Sequence, residues 1–489
     1  MSIDAVLNDA FAPLSKIASD VVLYAVPLSD DPDGPKVKLI VVWLAAAALF
    51  FSFYLRFVSI AYFRHGLHLI TGKHKEENLE GAPGEISNFQ AIATCLSGTV
   101  GLGNIAGVAV AISLGGPGAA FWMGLMGFFG MCSKFAEAAL GCKYRQPAAE
   151  GFSSGYVAGP MYYIREAFSR YGMNAIGAFM AAAFAVFTIG ATIGGGNMFQ
   201  ANQVYMQMVN VTGGEVSFLA EKGWMFGLVL AALVGVVIIG GLQSIARVSS
   251  LIVPVMALVY LGAGCMVLAM NAAHIPSGIM TILHGALTPE AGFAGILGAM
   301  IAGVQRAAFS NEAGLGTAAF THSYARTHQP ITQGFVAMIG PFVDTVVICM
   351  MTALVIVMSG VYAEAGAVSG TYQGVVLTSE AFATALPWFP YVLAFTVFLF
   401  AYSTQITWFY YGLLGCTYLF GQRRSVEWIF KIIYLAAVVV GCSASLDNVI
   451  DFTDATFFAL AIPNIIALYI LAPELKRDLN TYLARLHKK

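Results

Sequence analysis

The chain has little charge. Only 10% of its 489 residues are Asp, Glu, Lys or Arg, against about 25% in ordinary soluble domains, while 58% are hydrophobic and the mean hydropathy is +0.77. That balance excludes a soluble domain and describes a protein of the bilayer. The net charge of -2, with no basic run interleaved with aromatics, gives nucleic acid no footing. The seven cysteines lie mostly in apolar runs without a CxxC pair, Cys132 and Cys142 in or beside one run, so neither a disulfide framework nor a zinc site is implied. The first 36 residues lack a basic n-region and do not read as a cleaved signal peptide.

What the chain does have is long apolar runs. Eleven are counted, at 37–60, 88–113, 117–142, 174–195, 224–242, 248–271, 290–319, 332–360, 386–412, 426–445 and 449–472, each near the roughly 20 residues that cross a bilayer as a helix. Runs such as "VLAALVGVVIIGG" do not alternate, which argues against a β-barrel. The connecting segments are too short to fold alone, so the chain is a single all-α polytopic membrane domain.

Lys and Arg set the orientation. With the N-terminus outside, the inner loops and their edges collect Arg56, Arg64, Lys73, Lys75, Lys143, Arg145, Arg165, Arg170, Arg247, Arg326, Arg423, Arg424, Lys431 and the tail at 473–489, while the outer loops after the first span hold Lys222 alone. This positive-inside pattern predicts an odd number of spans, N-terminus out and C-terminus in. In the arm at 1–36, Val6, Leu7, Phe11, Leu14, Ile17, Val21 and Val22 recur near helical period opposite Asp4, Asp9, Lys16 and Asp20. That spacing predicts an amphipathic helix on the outer (periplasmic) face, the alternative being a solvated arm.

Two spans depart from the rest. The second carries "SGTVGLGNIAG" and the seventh "QRAAFSNEAGLGTAAF", each setting glycines and polar residues inside apolar sequence. Counted from the second span they stand first and sixth, so each opens a block of five helices, 88–271 and 290–472, after one extra helix at 37–60. Five is odd, and the blocks therefore run oppositely, as in an inverted-repeat transporter whose site lies at two interrupted helices. A break at mid-membrane frees N–H groups on one side and carbonyls on the other, which is tolerated only where the break lines a polar cavity or binds something. The freed N–H groups and partial positive charge around Leu102 to Ile105 suit a carboxylate; freed carbonyls suit a cation. Close packing of small residues is the competing reading of the glycines.

The motifs "SGTVGLGNIAGVAVAISLGGPGAAFWM", "FFGMCSKFAEAALGCKYR", "GGGNMFQANQ" and "FSNEAGLGTAAFTHSYA" closely resemble the alanine/glycine:cation symporters, also called the sodium:alanine symporters, and "VGLGN" resembles the first broken helix of LeuT-type transporters. The resemblance implies a LeuT-type five-plus-five inverted repeat with one extra N-terminal transmembrane helix. It also implies a secondary transporter, not an enzyme, in the cytoplasmic (inner) membrane of a bacterium. Such a protein imports a small neutral amino acid with Na+ or, less often, H+, and no partner protein is implied. Carried over residue by residue, Leu102 and Gly103 would offer N–H groups to the substrate carboxylate, Gly101 would allow close backbone approach, and Asn104 and Gln200 would line the pocket. Phe309 and Ser310 would close the amino-group side, and Trp408 would bound the side-chain end. Ser403 and Thr404 would coordinate sodium with carbonyls of Ser97 and Val100. Gln203, Gln405, Thr407 and Leu413 depart from the family pattern and leave substrate size open among glycine, alanine, serine and glutamine.

Oxygen ligands without a full carboxylate suit a hard monovalent cation that must later be released. For Ser403 and Thr404 the alternative is hydroxyls bonded back to their own helix. Intramembrane charges are functional candidates: Asp344 is placed to pair with Arg306 or to carry a proton, Glu312 to fasten the second break through backbone N–H groups, and Lys134 to pair with Glu137 three residues on. His65, His68, His74, His322 and His328 read as solvated residues near the inner surface. "GFSSG" at 151–155 matches a nucleophile motif but lacks its strand-to-helix setting, so a hydrolase using Ser153 has no support, and "GLGNIAG" misses the dinucleotide fingerprint by one spacing. A channel is the remaining rival; saturable, ion-coupled uptake excludes it.

Overall fold

Each apolar run is helical in the computed structural model, which describes residues 2–27, 36–73, 82–148, 155–287, 292–363 and 374–486. The arm forms α1 (Ile3–Val22), and the first apolar run forms α2 (Leu39–Tyr54). The second run is split into α3 (Asn88–Thr99) and α4 (Ala106–Gly115), bent by 59° at the break. Then come α5 (Gly118–Lys143), α6 (Pro160–Ser169), α7 (Asn174–Ile193), α8 (Phe199–Val211), α9 (Gly223–Ile238), α10 (Gly241–Met270) and α11 (Ile275–Leu287). The second half holds α12 (Gly292–Asn311), α13 (Ala318–His322), α14 (Ile331–Ala337), α15 (Met350–Ser359) and α16 (Val375–Ala383). It ends with α17 (Phe389–Phe420), α18 (Arg424–Ser443), α19 (Leu446–Ala459) and α20 (Ala461–Leu486). Among the described residues, seven helical stretches are individually long and apolar enough to cross a bilayer, and the bent pair adds one more. Strand is confined to two small antiparallel ladders, one pairing Ala25–Pro27 with Lys36–Lys38. No disulfide joins any of the seven cysteines.

Local chemistry sets the ends that matter. Ser87 and Gln90 form a capping box at α3: the Gln90 N–H donates to Ser87 Oγ at 3.1 Å, and the Ser87 N–H to Gln90 Oε1 at 3.0 Å. The run expected to end at 195 continues to Val211, through a π-helical stretch at Gly194–Met198 and on into α8. Its polar residues look like loop in sequence because their partners lie elsewhere in the chain. Asn202 donates to the carbonyls of Gly441 and Ala444, Gln203 accepts from the Val375 N–H at 2.8 Å, and Gln207 donates to Ser379 Oγ at 3.0 Å. A second π stretch, Phe342–Cys349, carries Asp344. Single π turns within α-helices gather at functional sites. The tail is likewise helical, to Leu486.

The arm is a docked helix. Phe11 packs edge-on against Phe452 at 5.3 Å, and Ser15 Oγ donates to the Asn448 carbonyl at 2.7 Å. Asp4 accepts from the first N–H groups of α9, Gly223 at 2.8 Å and Trp224 at 3.0 Å, while Asn8 Oδ1 accepts from the Ser445 N–H at 2.9 Å, at the start of α19. One surface helix thus supplies acceptors to the open N-termini of two others. Asp4→Ala with Asn8→Ala should remove about 1 kcal/mol per lost cap. The expected outcome is earlier thermal unfolding in detergent and faster proteolysis within residues 3–22; unchanged resistance would mean that the capping bonds do not hold the arm.

Candidate functional site

At the first break, two backbone donors leave the helix. The Gly101 N–H, which would otherwise bond Ser97, donates instead to the Thr99 carbonyl at 2.9 Å and to Asn104 Oδ1 at 3.0 Å. The Leu102 N–H, which would otherwise bond Gly98, donates to Gln200 Oε1 at 3.1 Å. The two orphaned carbonyls are taken up by α17: Thr404 Oγ1 donates to Ser97 O at 3.0 Å and Trp408 Nε1 to Gly98 O at 3.3 Å. The freed Leu102 N–H and the two carbonyls are therefore bonded to other helices, and the Gly101 N–H within the break itself, as burial in a low-dielectric interior requires. Ser97 Oγ donates to the Ser403 carbonyl and accepts from Thr407 Oγ1, both at 2.9 Å. The Ser403 hydroxyl bonds back to Phe400 O at 3.0 Å, whereas Thr404 turns to the break. Val100 lies buried at the turn itself.

Gly101 is required by space. A Cβ there would stand 2.5 Å from Thr404 Oγ1 and 3.2 Å from Gln200 Oε1.

The second break is built differently. Between α12 and α13 the chain turns left-handed at Glu312 (φ 59°), Gly314 (φ 92°) and Gly316 (φ 87°). Glu137 Oε1 accepts from the Gly314 N–H at 2.7 Å, and Asn464 Nδ2 donates to the Gly314 carbonyl at 2.8 Å. Lys134 Nζ donates to Asn311 O at 3.0 Å and Thr317 Oγ1 at 3.2 Å, and lies 3.8 Å from Glu312 Oε2. Lys134 and Glu137 thus do not pair with each other as expected, because both serve the break. Glu312 does not accept backbone N–H groups; its partners are Thr317 Oγ1 at 2.5 Å and Trp408 Nε1 at 3.2 Å.

Between the breaks lies a small cleft, with a cavity of about 10 Å³, lined by Gly98, Thr99, Gly101, Gly103, Gly195, Gln200, Phe309, Glu312, Thr404, Trp408 and Phe457. Five sequence-selected substrate residues, Gly101, Gly103, Gln200, Phe309 and Trp408, therefore line one cavity. Aromatic rings close part of it, with Phe309 against Phe457 at 5.0 Å and Trp408 against Phe457 at 4.7 Å. Asn104 and Ser310 turn elsewhere. Asn104 Nδ2 donates to Asp344 Oδ1 at 2.6 Å and Ser310 Oγ to Asp344 Oδ2 at 2.8 Å, so residues of both broken helices meet one buried carboxylate. Asp344 is accordingly not the partner of Arg306, which pairs with Asp454 and lies over the Phe309 ring at 5.3 Å.

Sequence reasoning missed Gly195, although "GGG" was quoted, and Phe457, which looks like any core aromatic. Gln203 and Gln405 do not line the pocket. Gln203 holds the start of α16, and Gln405 Nε2 donates to Asn197 Oδ1 at 3.1 Å. His322, expected in solvent, is buried against Gln333 at 3.2 Å. Ser153 and His74 lie outside the described residues.

Two interrupted helices around a small buried pocket, on a LeuT-type scaffold, define a secondary membrane transporter. The chain belongs to the sodium:alanine symporter family, whose pattern matches residues 34–489. It is 38% identical over 432 residues to "Sodium/alanine symporter AgcS" of Methanococcus maripaludis, covering 88% of this chain and 91% of that one. It is 31% identical to "Probable sodium/glutamine symporter GlnT" of Bacillus subtilis, covering 91% and 88%. The fold is shared with MhsT, solved in complex with L-phenylalanine, at a TM-score of 0.55 and 13% identity, covering 82% of this chain and 99% of that one. The protein is thus a sodium-coupled amino-acid transporter.

Two outcomes follow from the geometry. Gly101→Ala should push Thr404 off the Ser97 carbonyl and lower thermal stability, read as earlier unfolding in detergent; unchanged stability would show that the space at Gly101 is not limiting. Asp454→Ala, which strands Arg306, should cost about 3–5 kcal/mol, and adding Arg306→Met should recover most of it in thermal unfolding.

Proposed function

We propose that this chain imports a small neutral amino acid of the alanine and glycine class by sodium symport, by alternating access around its two broken helices. The observation that carries the reading is the repartnering of the first break. Gln200 takes the freed Leu102 N–H, and Thr404 and Trp408 take the freed carbonyls, around a small buried cleft. The close packing of Phe309, Trp408 and Phe457 around this cleft favours a small substrate. In this reading the N–H groups of Leu102 and Gly103 bind the substrate carboxylate beside Gly101, and Asn104 and Ser310 support the pocket from behind through Asp344. Sodium is held by carbonyls of Ser97 and Val100 with the Ser403 and Thr404 hydroxyls. This is a neutral oxygen cage that binds a hard cation weakly enough to release it. Sodium would draw α17 onto the first break and so raise affinity for the amino acid. The name of AgcS supports alanine; that of GlnT keeps glutamine, with serine, as the alternative main substrate.

The placement proposed is eleven spans in the inner membrane, N-terminus out and C-terminus in. The repeats are 88–271 and 290–472 after the helix at 37–60, and the positive-inside distribution supports this arrangement.

Uptake of labelled glycine, alanine and glutamine into proteoliposomes, under a sodium gradient, a proton gradient or neither, tests the reading. Sodium-driven accumulation of alanine or glycine is expected. Ser403→Ala with Thr404→Ala should raise the half-saturating sodium concentration about 10-fold or more, the worth of one or two lost ligands; unchanged sodium dependence would place the ion elsewhere. A second reading, proton coupling, is favoured by one observation: Asn104 and Ser310, from the two broken helices, both donate to Asp344. In that case accumulation follows the proton gradient, and Asp344→Asn abolishes it.

A further inference from the structure

Glu312 stands where a glycine would be easier. Its φ of 59° is left-handed, a region costly for residues with a side chain, and the same turn uses glycine at its other two left-handed positions. The carboxylate is kept there by contacts on several sides: Thr317, Trp408 and the Lys134 ammonium 3.8 Å away. It is also the one ionisable side chain that lines the pocket. Its two oxygens offer about four acceptor positions, and two are filled by hydrogen bonds from Thr317 and Trp408. Glu312 shares the lining of the cavity with Gly101, where the break frees the Gly101 and Leu102 N–H groups from the helix; Asn104 and Gln200 side-chain oxygens hold them, bonds that a ligand's carboxylate can replace. One side of the pocket suits an anion and the other a cation, which is the charge layout of a zwitterion.

We propose that Glu312 selects the substrate by its cationic amine, accepting an ammonium group that sits beside the carboxylate bound at the first break. The proposal rests on the amino-acid symport reading and deepens it. Lys134, buried behind Glu312 and fixed to Asn311 O and Thr317, is a positioning residue that helps hold the carboxylate at the break. Trp408 Nε1 donates to both Gly98 O and Glu312 Oε1, so one indole joins the first break to the amine-binding group. Acids of the same shape with hydroxyl or hydrogen in place of the amine should be rejected, because they leave the buried carboxylate unpaired.

The test is sodium-driven uptake of labelled alanine into proteoliposomes, in competition with unlabelled alanine, lactate and propionate. It compares wild type, Glu312→Gln, and Glu312→Gln with Lys134→Met and Glu137→Gln, the last removing the whole buried charge cluster if the single variant fails to fold. Sodium binding without substrate is followed in parallel by intrinsic tryptophan fluorescence. Wild type should ignore lactate and propionate. In either variant the KM for alanine should rise about 10- to 100-fold, the worth of a charge-assisted hydrogen bond, while lactate becomes a competitor and sodium affinity holds. Lactate competing as well as alanine in wild type, or a variant retaining both the KM for alanine and the rejection of lactate, overturns the proposal. Equal loss of alanine and sodium binding does so too, since it makes Glu312 structural. Wild type that accumulates no amino acid under any gradient overturns the symport reading itself.

Discussion

Unpaired backbone groups in hydrocarbon cost several kcal/mol each, and the centre of this molecule is arranged around that constraint. Once the second apolar run leaves helical geometry at Gly101, the carbonyls of Ser97 and Gly98 and the N–H of Leu102 need partners. They find them on α17 and α8. The glycines let the break form, and hydroxyl, indole and amide groups on distant helices let it persist. The pocket is the space left between these satisfied groups. Any motion of α17 or α8 relative to the break must exchange these bonds, to water, ion or substrate. In the symport reading proposed above, that gives a sodium ion or an amino acid a direct hold on the conformation, through its differential interaction with the two states.

The two breaks solve the same problem by different means. The first uses neutral donors and acceptors, the second ionisable ones: Lys134, Glu137 and Glu312, all buried. A break held by charges is less easily rearranged, because removing one partner strands another in a low-dielectric interior. The pocket thus has one wall of exchangeable neutral bonds and one of fixed ionic ones.

How much of this was legible follows from where the signals lie. The first break and its close partners were readable because glycine, asparagine, glutamine and paired hydroxyls are conspicuous in apolar sequence; Gly101, Gln200, Thr404 and Trp408 all fall at the pocket. Pairings between distant segments were not. Lys134 and Glu137 stand at helical spacing, which suggests each other, and nothing local reveals that both reach the turn at Asn311–Thr317. Arg306 and Asp344 share a half of the chain, yet Arg306 meets Asp454, 148 residues away. The polar face of α8 reads as loop until its partners, the ends of α16 and α18, are in place. Phe457 gives no signal, since a cavity-lining aromatic and a core aromatic look alike in sequence.

The docked arm has a consequence for the order of assembly. Asp4 and Asn8 leave the ribosome before any membrane helix, but their acceptors wait for the N–H groups of Gly223 and Ser445, which follow 219 and 437 residues later. The arm therefore cannot make both contacts until the chain has been made through the start of α19. Its docking requires that the N-termini of α9 and α19 are both in place, so a seated arm marks the correct placement of these two helices relative to the arm.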